Sequence, residues 1–463
     1  MREVLALGAT AVVRALKRGE LSPLELLDAV EERIAEVEPA VGALPVTCLD
    51  RARRQAKEIA GRRTESRVDD PGWLGGLPVS VKDMVDVSGV PTTYGSPGLR
   101  GQVAAVSDPL VERIERHGGI VVGKTNLPEF CSGADTVNPL HGRTRNPWDP
   151  TVSCGASSGG AAVSVAAGEV WCAHGEDTAG SLRIPAAFTG VVGLRPSPAA
   201  GGALETHGPL ARDVADAALF HGALTGGPPL ELFPVLPARV AFTAGYAGRL
   251  PVEPDVARVF TAAVGRIARA GCRTQEHAPA LGSMQDACLT LIAHRAARRY
   301  GDLVDQLGDE AGPLIRAEVT SGRSLSEEQL LAAELERAAF AKSFGTLFDS
   351  YDVLLTPTMG CAPWPVPDGP SPLPADEHLL RVLALWPLTT AVTMAGCPAV
   401  SLPCGRTPAG LPVGLQLIGA PGRDTALLRT ARAIEEVLGD VRPPLPVTPG
   451  AGTAVRPGAE AVA

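Results

Sequence analysis

The sequence lacks the residue patterns that would indicate a metal, redox or membrane protein. Its nine cysteines include no C-x-x-C pair and its eight histidines no H-E-x-x-H spacing, so we expect neither a zinc site nor a catalytic dithiol. No stretch approaches the roughly 18 consecutive apolar residues that a membrane-spanning helix needs. The first residues, MREVLALGATAVVRALKRG, contain a short apolar segment between charges and no small-residue cleavage site. An amphipathic helix is therefore a better interpretation than a signal peptide.

An excess of basic residues is also missing. The chain has 42 Lys and Arg against 51 Asp and Glu, a formal net charge of −9. Such a chain has no general affinity for nucleic-acid phosphates or anionic membranes, and we expect neither partner. The odd number of scattered cysteines is typical of reduced core residues, which favours a cytoplasmic location.

Aromatic residues make up only 4% of the chain, whereas 52 glycines and 42 prolines are present. Glycine and proline favour turns and closely packed backbones. Hydrophobic residues still reach 45% of 463 positions, which excludes a chain that is disordered throughout. We therefore expect a globular protein with many tight turns.

The order of apolar segments predicts a single α/β domain over residues 1–440. Residues 1–65 form a helical N-terminal part, in which Ser22, Pro23 and Glu25 supply a capping box with proline at the first helical position. From residue 77 short apolar runs alternate with helical segments, as in α/β folds. The tail 441–463, rich in Pro, Gly and Ala, is predicted to be disordered.

Individual elements follow from the same patterns. The predicted strands are LPVSV, GIVVG, EVWCAH, ARVAFTA, YDVLLTP and the pair PAVSLPCG and GLPVGLQLIG. The predicted helices are 109–117, 159–167 and 425–438, and residues 208–350 are expected to be mostly helical. Residues 360–374 contain six prolines and are interpreted as a loop or lid.

Residues 118–125, Gly-Gly-Ile-Val-Val-Gly-Lys-Thr, match the spacing of a phosphate-binding loop. A functional loop of this type follows a strand and opens a helix, so that backbone N–H groups converge on the phosphates. Here the preceding segment is helical, the residues between the glycines form a strand, and Pro128 follows soon after Lys124. We interpret the match as a turn and a buried strand.

Three segments carry better candidates for chemistry. Ser153–Gly160 (SCGASSGG) precedes a helix of small residues and by itself is most often only a helix cap. The loop 175–185 after a strand presents free N–H groups near a helix start, as an oxyanion hole requires, with Ser181 as the natural nucleophile. The alternative interpretation of this loop is a surface turn between a strand and a helix.

The third candidate is Lys82, which lies in the apolar strand LPVSVKDMVDV. Most lysines in such a position extend their amine to solvent. A buried Lys82 could instead lose its charge and accept a proton from a serine without any histidine.

The segments PVSVKDMVDV, VVGKTNLPEF, NPLHGRTRNPWDP, GASSGGAAVSVAAG, GEDTAGSLRIPAAFTGVVGLRPS and GLPVGLQLIGAP resemble, in order, those of the amidase signature family. The resemblance runs from about residue 20 to 440. It implies an α/β amidase signature fold, with a central twisted mixed β-sheet surrounded by α-helices. It also implies a Ser-cisSer-Lys catalytic set without metal or cofactor.

On the matching positions, the resemblance implies that Lys82 relays a proton through Ser157 so that Ser181 attacks a carbonyl, with a cis bond between Ala156 and Ser157. It implies an oxyanion hole of backbone N–H groups around Thr178, Ala179, Gly180 and Ser181. The other implied roles are loop support by Ser158, Asp177 and Arg183, and substrate contact by Cys131. The sequence departs from the family pattern at Glu176 (usually Thr), at Ala179 (usually Gly) and at residues 153–156.

Three functional hypotheses follow. The first is hydrolysis of C–N bonds in small-molecule amides, with esters and carbamates (urethanes) as further substrates, through an acyl-enzyme on Ser181. The second is the glutaminase subunit of a tRNA-dependent amidotransferase, which would need partner subunits; the segment LPEFCSGADT departs from its typical pattern. The third, an inactive scaffold, is disfavoured because Lys82, Ser157 and Ser181 are all present. A homodimer is compatible with the sequence, which does not fix the oligomeric state.

Overall fold

The computed structural model describes residues 2–61, 70–198, 204–227, 232–367 and 386–439. Its α-helices are α1 (Ala9–Arg18), α2 (Pro23–Val41), α3 (Leu49–Gly61), α4 (Pro109–Arg116), α5 (Gly159–Ala166), α6 (Arg183–Thr189), α7 (Val214–Thr225), α8 (Pro254–Arg269), α9 (Met284–Leu307), α10 (Pro313–Arg323), α11 (Glu327–Gly345), α12 (Pro387–Met394) and α13 (Asp424–Leu438). Its strands are β1 (Val46–Thr47), β2 (Pro78–Lys82), β3 (Ile120–Thr125), β4 (Val137–Asn138), β5 (Gly142–Arg143), β6 (Cys172–Asp177), β7 (Val192–Arg195), β8 (Thr206–Ala211), β9 (Arg239–Phe242), β10 (Arg273–Glu276), β11 (Val353–Pro357), β12 (Ala399–Arg406) and β13 (Pro412–Ile418). Short 3₁₀ turns lie at Arg2–Ala6, Pro97–Leu99, Glu129–Cys131, Gly308–Glu310 and Thr346–Asp349.

One mixed sheet of 11 strands organises the fold, in the order β1-β3-β2-β6-β8-β7-β12-β13-β11-β9-β10. Strand β2 runs parallel to both β3 and β6, whereas β6 pairs antiparallel with β8. The carboxyl ends of β2, β3 and β6 therefore meet at one edge of the sheet, where ligands commonly bind in α/β folds. Lys82 and Asp177 end β2 and β6.

Helices cover both faces of this sheet. Alternate strand residues contribute to different apolar clusters: Val240 and Leu355 pack in the cluster that contains helices α8 and α13, whereas Ala241 and Leu354 pack in the one that contains α6 and α12. Because successive side chains of a strand point to opposite faces, each face must be covered separately. The predicted α/β fold, with a central mixed sheet surrounded by helices, is confirmed.

Helix α5 lies unusually close to the sheet, and all eight of its residues are buried. A Cβ on Gly160 would lie 2.4 Å from the backbone nitrogen of Asn126. The small residues that the sequence shows here are therefore required by a close backbone approach. This approach brings the chain just before α5 to the carboxyl ends of β2 and β6.

Several predicted elements are confirmed. Ser22 and Glu25 form the capping box of α2, and residues Ile120–Thr125 form the buried strand β3 between α4 and the next loop. Among the described residues, no helix is both long and apolar enough to cross a membrane.

Two boundaries were predicted wrongly. The strand expected in EVWCAH begins at Cys172 and extends to Asp177, and the region expected to be mostly helical begins with β8, a central strand. Periodicity is weak in both places because the strands are buried almost throughout. The predicted disordered tail, 441–463, lies outside the described residues, as do 62–65 of the N-terminal part and 368–374 of the predicted loop.

Candidate active site

Lys82 is completely buried, and its amine lies 2.7 Å from the hydroxyl of Ser157. Strand β2 carries Lys82 to the sheet edge, and the turn before α5 places Ser157 opposite it. The Ala156–Ser157 peptide is cis, as the resemblance implied. The amine therefore does not extend to solvent, and its hydrogen-bond partner is the hydroxyl that the resemblance selected.

A second buried lysine, Lys124, lies beside Lys82 but has different partners. Its amine lies 2.9 Å from Asp83 and donates to Thr92 and to the carbonyl of Pro91. Lys124, the lysine of the apparent phosphate-binding loop, therefore stabilises the segment that follows β2.

Asp177 organises the loop that carries Ser181. Its carboxylate accepts hydrogen bonds from the N–H groups of Gly180 (2.8 Å) and Leu182 (3.1 Å) and from two guanidinium nitrogens of Arg183 (both 2.9 Å). Arg195 donates to the Asp177 carbonyl and lies 3.3 Å from the carboxylate. Burial alone would raise the pKa of Asp177, but Arg183 and Arg195 hold it well below its usual range. Asp177 and Arg183 thus lie where the predicted supporting role requires.

The far side of Arg183 connects this loop to distant parts of the chain. Its Nη1 donates to the carbonyl of Thr389 (3.0 Å) and to Gln416 (2.7 Å). The hydroxyl of Thr389 in turn donates to the carbonyl of Ala179 at 2.7 Å. Helix α12 and strand β13 therefore hold the loop from behind, a contact that sequence reasoning missed and that no local pattern signals.

The backbone N–H groups of the loop are not equivalent. Within the described residues, those of Thr178, Ala179 and Ser181 have no acceptor in the protein, and all three residues line one cavity. The N–H of Gly180 is instead bound to Asp177. The N–H that Gly180 was expected to offer to the oxyanion is thus bound by Asp177, and its place in an oxyanion hole stays a prediction. Gly180 instead gives the loop its positive φ of 121° and its close approach to Thr389.

Ser158 links the two serine-bearing segments. Its N–H donates to the carbonyl of Ser181 at 3.2 Å, and its hydroxyl donates to the carbonyl of Glu176 at 3.2 Å. These bonds join the turn before α5 to the end of β6. Ser158 is placed as the predicted support for both loops.

Glu176, one of the departures from the family pattern, lies between helix α9 and the presumed base. One of its oxygens lies 2.7 Å from Arg295 on α9 and accepts a hydrogen bond from Thr178 (3.1 Å), and the other lies 3.9 Å from the amine of Lys82. Burial alone would raise the pKa of Glu176, but Arg295 is among the cations that lower it to about 2. Glu176 is therefore a carboxylate next to the presumed base. Its partner Arg295 carries no sequence signal.

Ser157 and Ser181 line a cavity of about 490 Å³. Two of the helices that line it are α9 and α10. Its large apolar side chains are Phe130, Ile184, Leu289, Ile292, Leu314, Trp364 and Trp386. A larger cleft, of about 870 Å³, lies near His207 and contains none of the three predicted catalytic residues.

Cys131 lines the same cavity, at the end of a 3₁₀ turn in which its φ is 64°. Its thiol lies 3.7 Å from the sulfur of Met84, and burial raises its pKa. A thiol of this kind is a small apolar surface and a poor nucleophile. Cys131 therefore has the position of a substrate contact, and that role stays a prediction.

Comparison with known proteins agrees with this geometry. The sequence profile of the Amidase family matches residues 25–428. The chain is 33% identical to a glutamyl-tRNA(Gln) amidotransferase subunit of Symbiobacterium thermophilum, over 93% of this chain and 96% of that protein. It is 31% identical to an acylamidase of Rhodococcus erythropolis, over 93% and 95%. The crystal structure of a bacterial aryl acylamidase of the amidase signature family superposes with a TM-score of 0.81 at 26% identity, covering 93% of this chain and 96% of the other.

Proposed function

Because the chain belongs to the amidase signature family, we propose that it hydrolyses C–N bonds of small-molecule amides through an acyl-enzyme on Ser181. The observation that carries this proposal is the buried amine of Lys82 at 2.7 Å from the hydroxyl of Ser157. An uncharged amine at this distance is a competent proton acceptor.

In the proposed reaction, the Ser181 oxygen attacks the amide carbonyl while its proton passes to Ser157 and the Ser157 proton passes to Lys82. The N–H groups of Thr178, Ala179 and Ser181, which have no other acceptor among the described residues, stabilise the oxyanion. The proton then returns through the same groups to the leaving amine as the C–N bond breaks. Water hydrolyses the resulting ester of Ser181.

The lining of the cavity favours substrates with an apolar or aromatic acyl group. Its lining is dominated by aliphatic and tryptophan side chains, and burying such a group releases about 25 cal/mol for each Å² removed from water. The arginine and the two glutamates of the lining have protein partners: Arg295 binds Glu176 and Glu205, and Glu318 accepts a hydrogen bond from Ser132. Esters and carbamates of the same apolar groups present a similar carbonyl and belong to the proposed range.

A second candidate is glutaminase activity within a tRNA-dependent amidotransferase, favoured by the similarity to the amidotransferase protein of Symbiobacterium thermophilum. Free glutamine carries an ammonium and a carboxylate, which need charged partners when they leave water. In the cavity described here, Arg295, which could bind the carboxylate of glutamine, is already paired with Glu176 and Glu205. This favours the apolar amide over glutamine.

The purified chain is incubated with an acyl anilide, the matching aryl ester, the matching carbamate and glutamine. We expect hydrolysis of the anilide, an acyl adduct on Ser181 in the intact-protein mass spectrum, and neither product nor adduct with Ser181→Ala. The matched control is Ser343→Ala, which removes an exposed hydroxyl on α11.

Three results would contradict the proposal: an active Ser181→Ala variant, an adduct on another residue, or release of ammonia from glutamine alone among the four compounds. Release of ammonia from glutamine would establish the second candidate, whether the purified chain does this by itself or only after the other amidotransferase proteins are added.

A further inference from the structure

Glu176 raises a problem for the proposed mechanism, because a carboxylate 3.9 Å from Lys82 favours the ammonium form of that lysine. An ammonium cannot accept the Ser157 proton. The two groups are almost completely removed from solvent, with side chains 0% and 3% exposed, so water does little to screen them. Some other group must offset the charge of Glu176 if Lys82 is to act as a base.

Arg295 occupies the position that such a group needs. Its guanidinium binds the Glu176 oxygen that does not face Lys82, at 2.7 Å. The same guanidinium binds Glu205, which also lies 3.4 Å from Arg299. Basic and acidic side chains therefore alternate in a connected charge chain, which consists of Lys82, Glu176, Arg295, Glu205 and Arg299.

The charges of this chain balance only when Lys82 is uncharged. Arg295 then neutralises Glu176, and Glu205 and Arg299 neutralise each other at the more exposed end of the chain, whereas an ammonium at Lys82 leaves one net positive charge at the buried end. A net buried charge is costly unless it is paired. We infer that Arg295 is a positioning residue that acts through Glu176 to keep Lys82 in the uncharged form that accepts the Ser157 proton.

Other titratable groups surround this chain, and burial favours the uncharged form of each. They are Cys131, His174, His207 and Glu318. Burial raises the pKa of Cys131 and lowers those of His174 and His207, so all three are uncharged near pH 7.5. Glu318 lies on α10 and is bound by Ser132. Asp177, the next residue of β6, is paired with Arg183 and Arg195.

The inference rests on the proposed role of Lys82, and it is tested without any assumption about the natural substrate. A fluorophosphonate probe reports activation of Ser181: the Ser181 oxygen–phosphorus bond forms, the phosphorus–fluorine bond breaks, fluoride leaves, and the Ser181 proton passes through Ser157 to Lys82. The second-order labelling rate is measured from pH 5 to 10 by mass spectrometry. The variants are Glu176→Gln, Arg295→Met, Arg295→Lys and the double variant Glu176→Gln with Arg295→Met.

Opposite shifts of the acid limb of this profile are expected. Arg295→Met leaves Glu176 unopposed and moves the limb to higher pH by about one unit or more, as a charge within 4–6 Å does. Glu176→Gln moves it to lower pH by a similar amount. The double variant restores the balance and returns the limb close to that of the parent protein. Arg295→Lys keeps the positive charge and stays closer to the parent than Arg295→Met.

A purely structural role of Arg295 gives a different result. If Arg295→Met lost activity by loosening α9, the double variant would be as impaired as the single one, and the limb would stay in place while the plateau fell. Arg298→Met, an exposed arginine on the same helix, controls for loss of a helical arginine. The inference would be overturned if the acid limb did not move, or if it moved in the same direction in Glu176→Gln and Arg295→Met. A parent protein whose Ser181 is labelled at no pH would also overturn it. A parent that is labelled but hydrolyses no amide, ester or carbamate would instead remove the proposed function alone.

Discussion

Replacing Arg183 with methionine should destabilise the protein far more than replacing an exposed arginine. Arg183 is 0% exposed, and it supplies two hydrogen bonds to Asp177 and others to Thr389 and Gln416. Methionine fills much of the same volume but leaves the buried carboxylate of Asp177 with its backbone donors and Arg195 only. Breaking a buried pair in this way typically costs about 3–5 kcal/mol, a large fraction of the roughly 5–15 kcal/mol that stabilises a native protein.

The free energy of unfolding is measured by urea denaturation for the parent, Arg183→Met and the matched control Arg258→Met. Arg258 pairs with Asp255 at 2.7 Å, but these side chains are 61% and 53% exposed. Exposed pairs contribute about 0–1 kcal/mol, so the control should be nearly silent. Arg183→Lys should be intermediate, because an ammonium keeps the charge but cannot form the two-pronged contact.

The pH dependence of this loss provides a second check. In the parent, the depressed pKa of Asp177 contributes stability that is present above the usual carboxyl range and is lost as pH falls towards the folded-state pKa. In Arg183→Met that pKa rises, so Asp177 takes up a proton at higher pH than in the parent. The gap between the two proteins should therefore narrow below about pH 4. Equal stability of Arg183→Met and Arg258→Met at pH 7, or a gap that widens in acid, would refute the reasoning.

Two further predictions concern stability. Gly160→Ala should destabilise the protein in the same urea assay, because the new Cβ would lie 2.4 Å from the backbone nitrogen of Asn126, whereas Gly61→Ala, with nothing within 4 Å, should not; equal effects would contradict the packing argument. Glu169→Gln should flatten the pH dependence of the free energy of unfolding. Burial and the neighbouring Glu38 raise the pKa of Glu169 well above 4.5. The stability that Glu169 contributes is therefore complete below that value and is lost as pH rises through the folded-state pKa. Parallel stability curves for the parent and Glu169→Gln between pH 5 and 9 would count against this.

Local patterns determined a large part of the site. The small residues of α5 are required where its backbone meets Asn126, and the capping box at Ser22 depends on neighbours three residues apart. The interpretation of residues 118–125 as a turn and a buried strand is also confirmed, because strand and helix order is encoded locally. Lys82 and Ser181 were found from short segments whose residue types carry the chemistry, whereas Ser157 was selected by the resemblance to the amidase signature family. Their catalytic roles stay predictions.

Only the tertiary structure decided how these segments are charged and supported. Arg295 reaches Glu176 across 119 residues of sequence, and Thr389 reaches Ala179 across 210. Neither partner lies in a motif, since a long-range contact depends on where two elements pack and leaves no local periodicity. For the same reason, sequence analysis assigned the N–H of Gly180 to the oxyanion hole and missed its hydrogen bond to Asp177. Its spacing in sequence is right for that role, but the folded loop turns it towards Asp177.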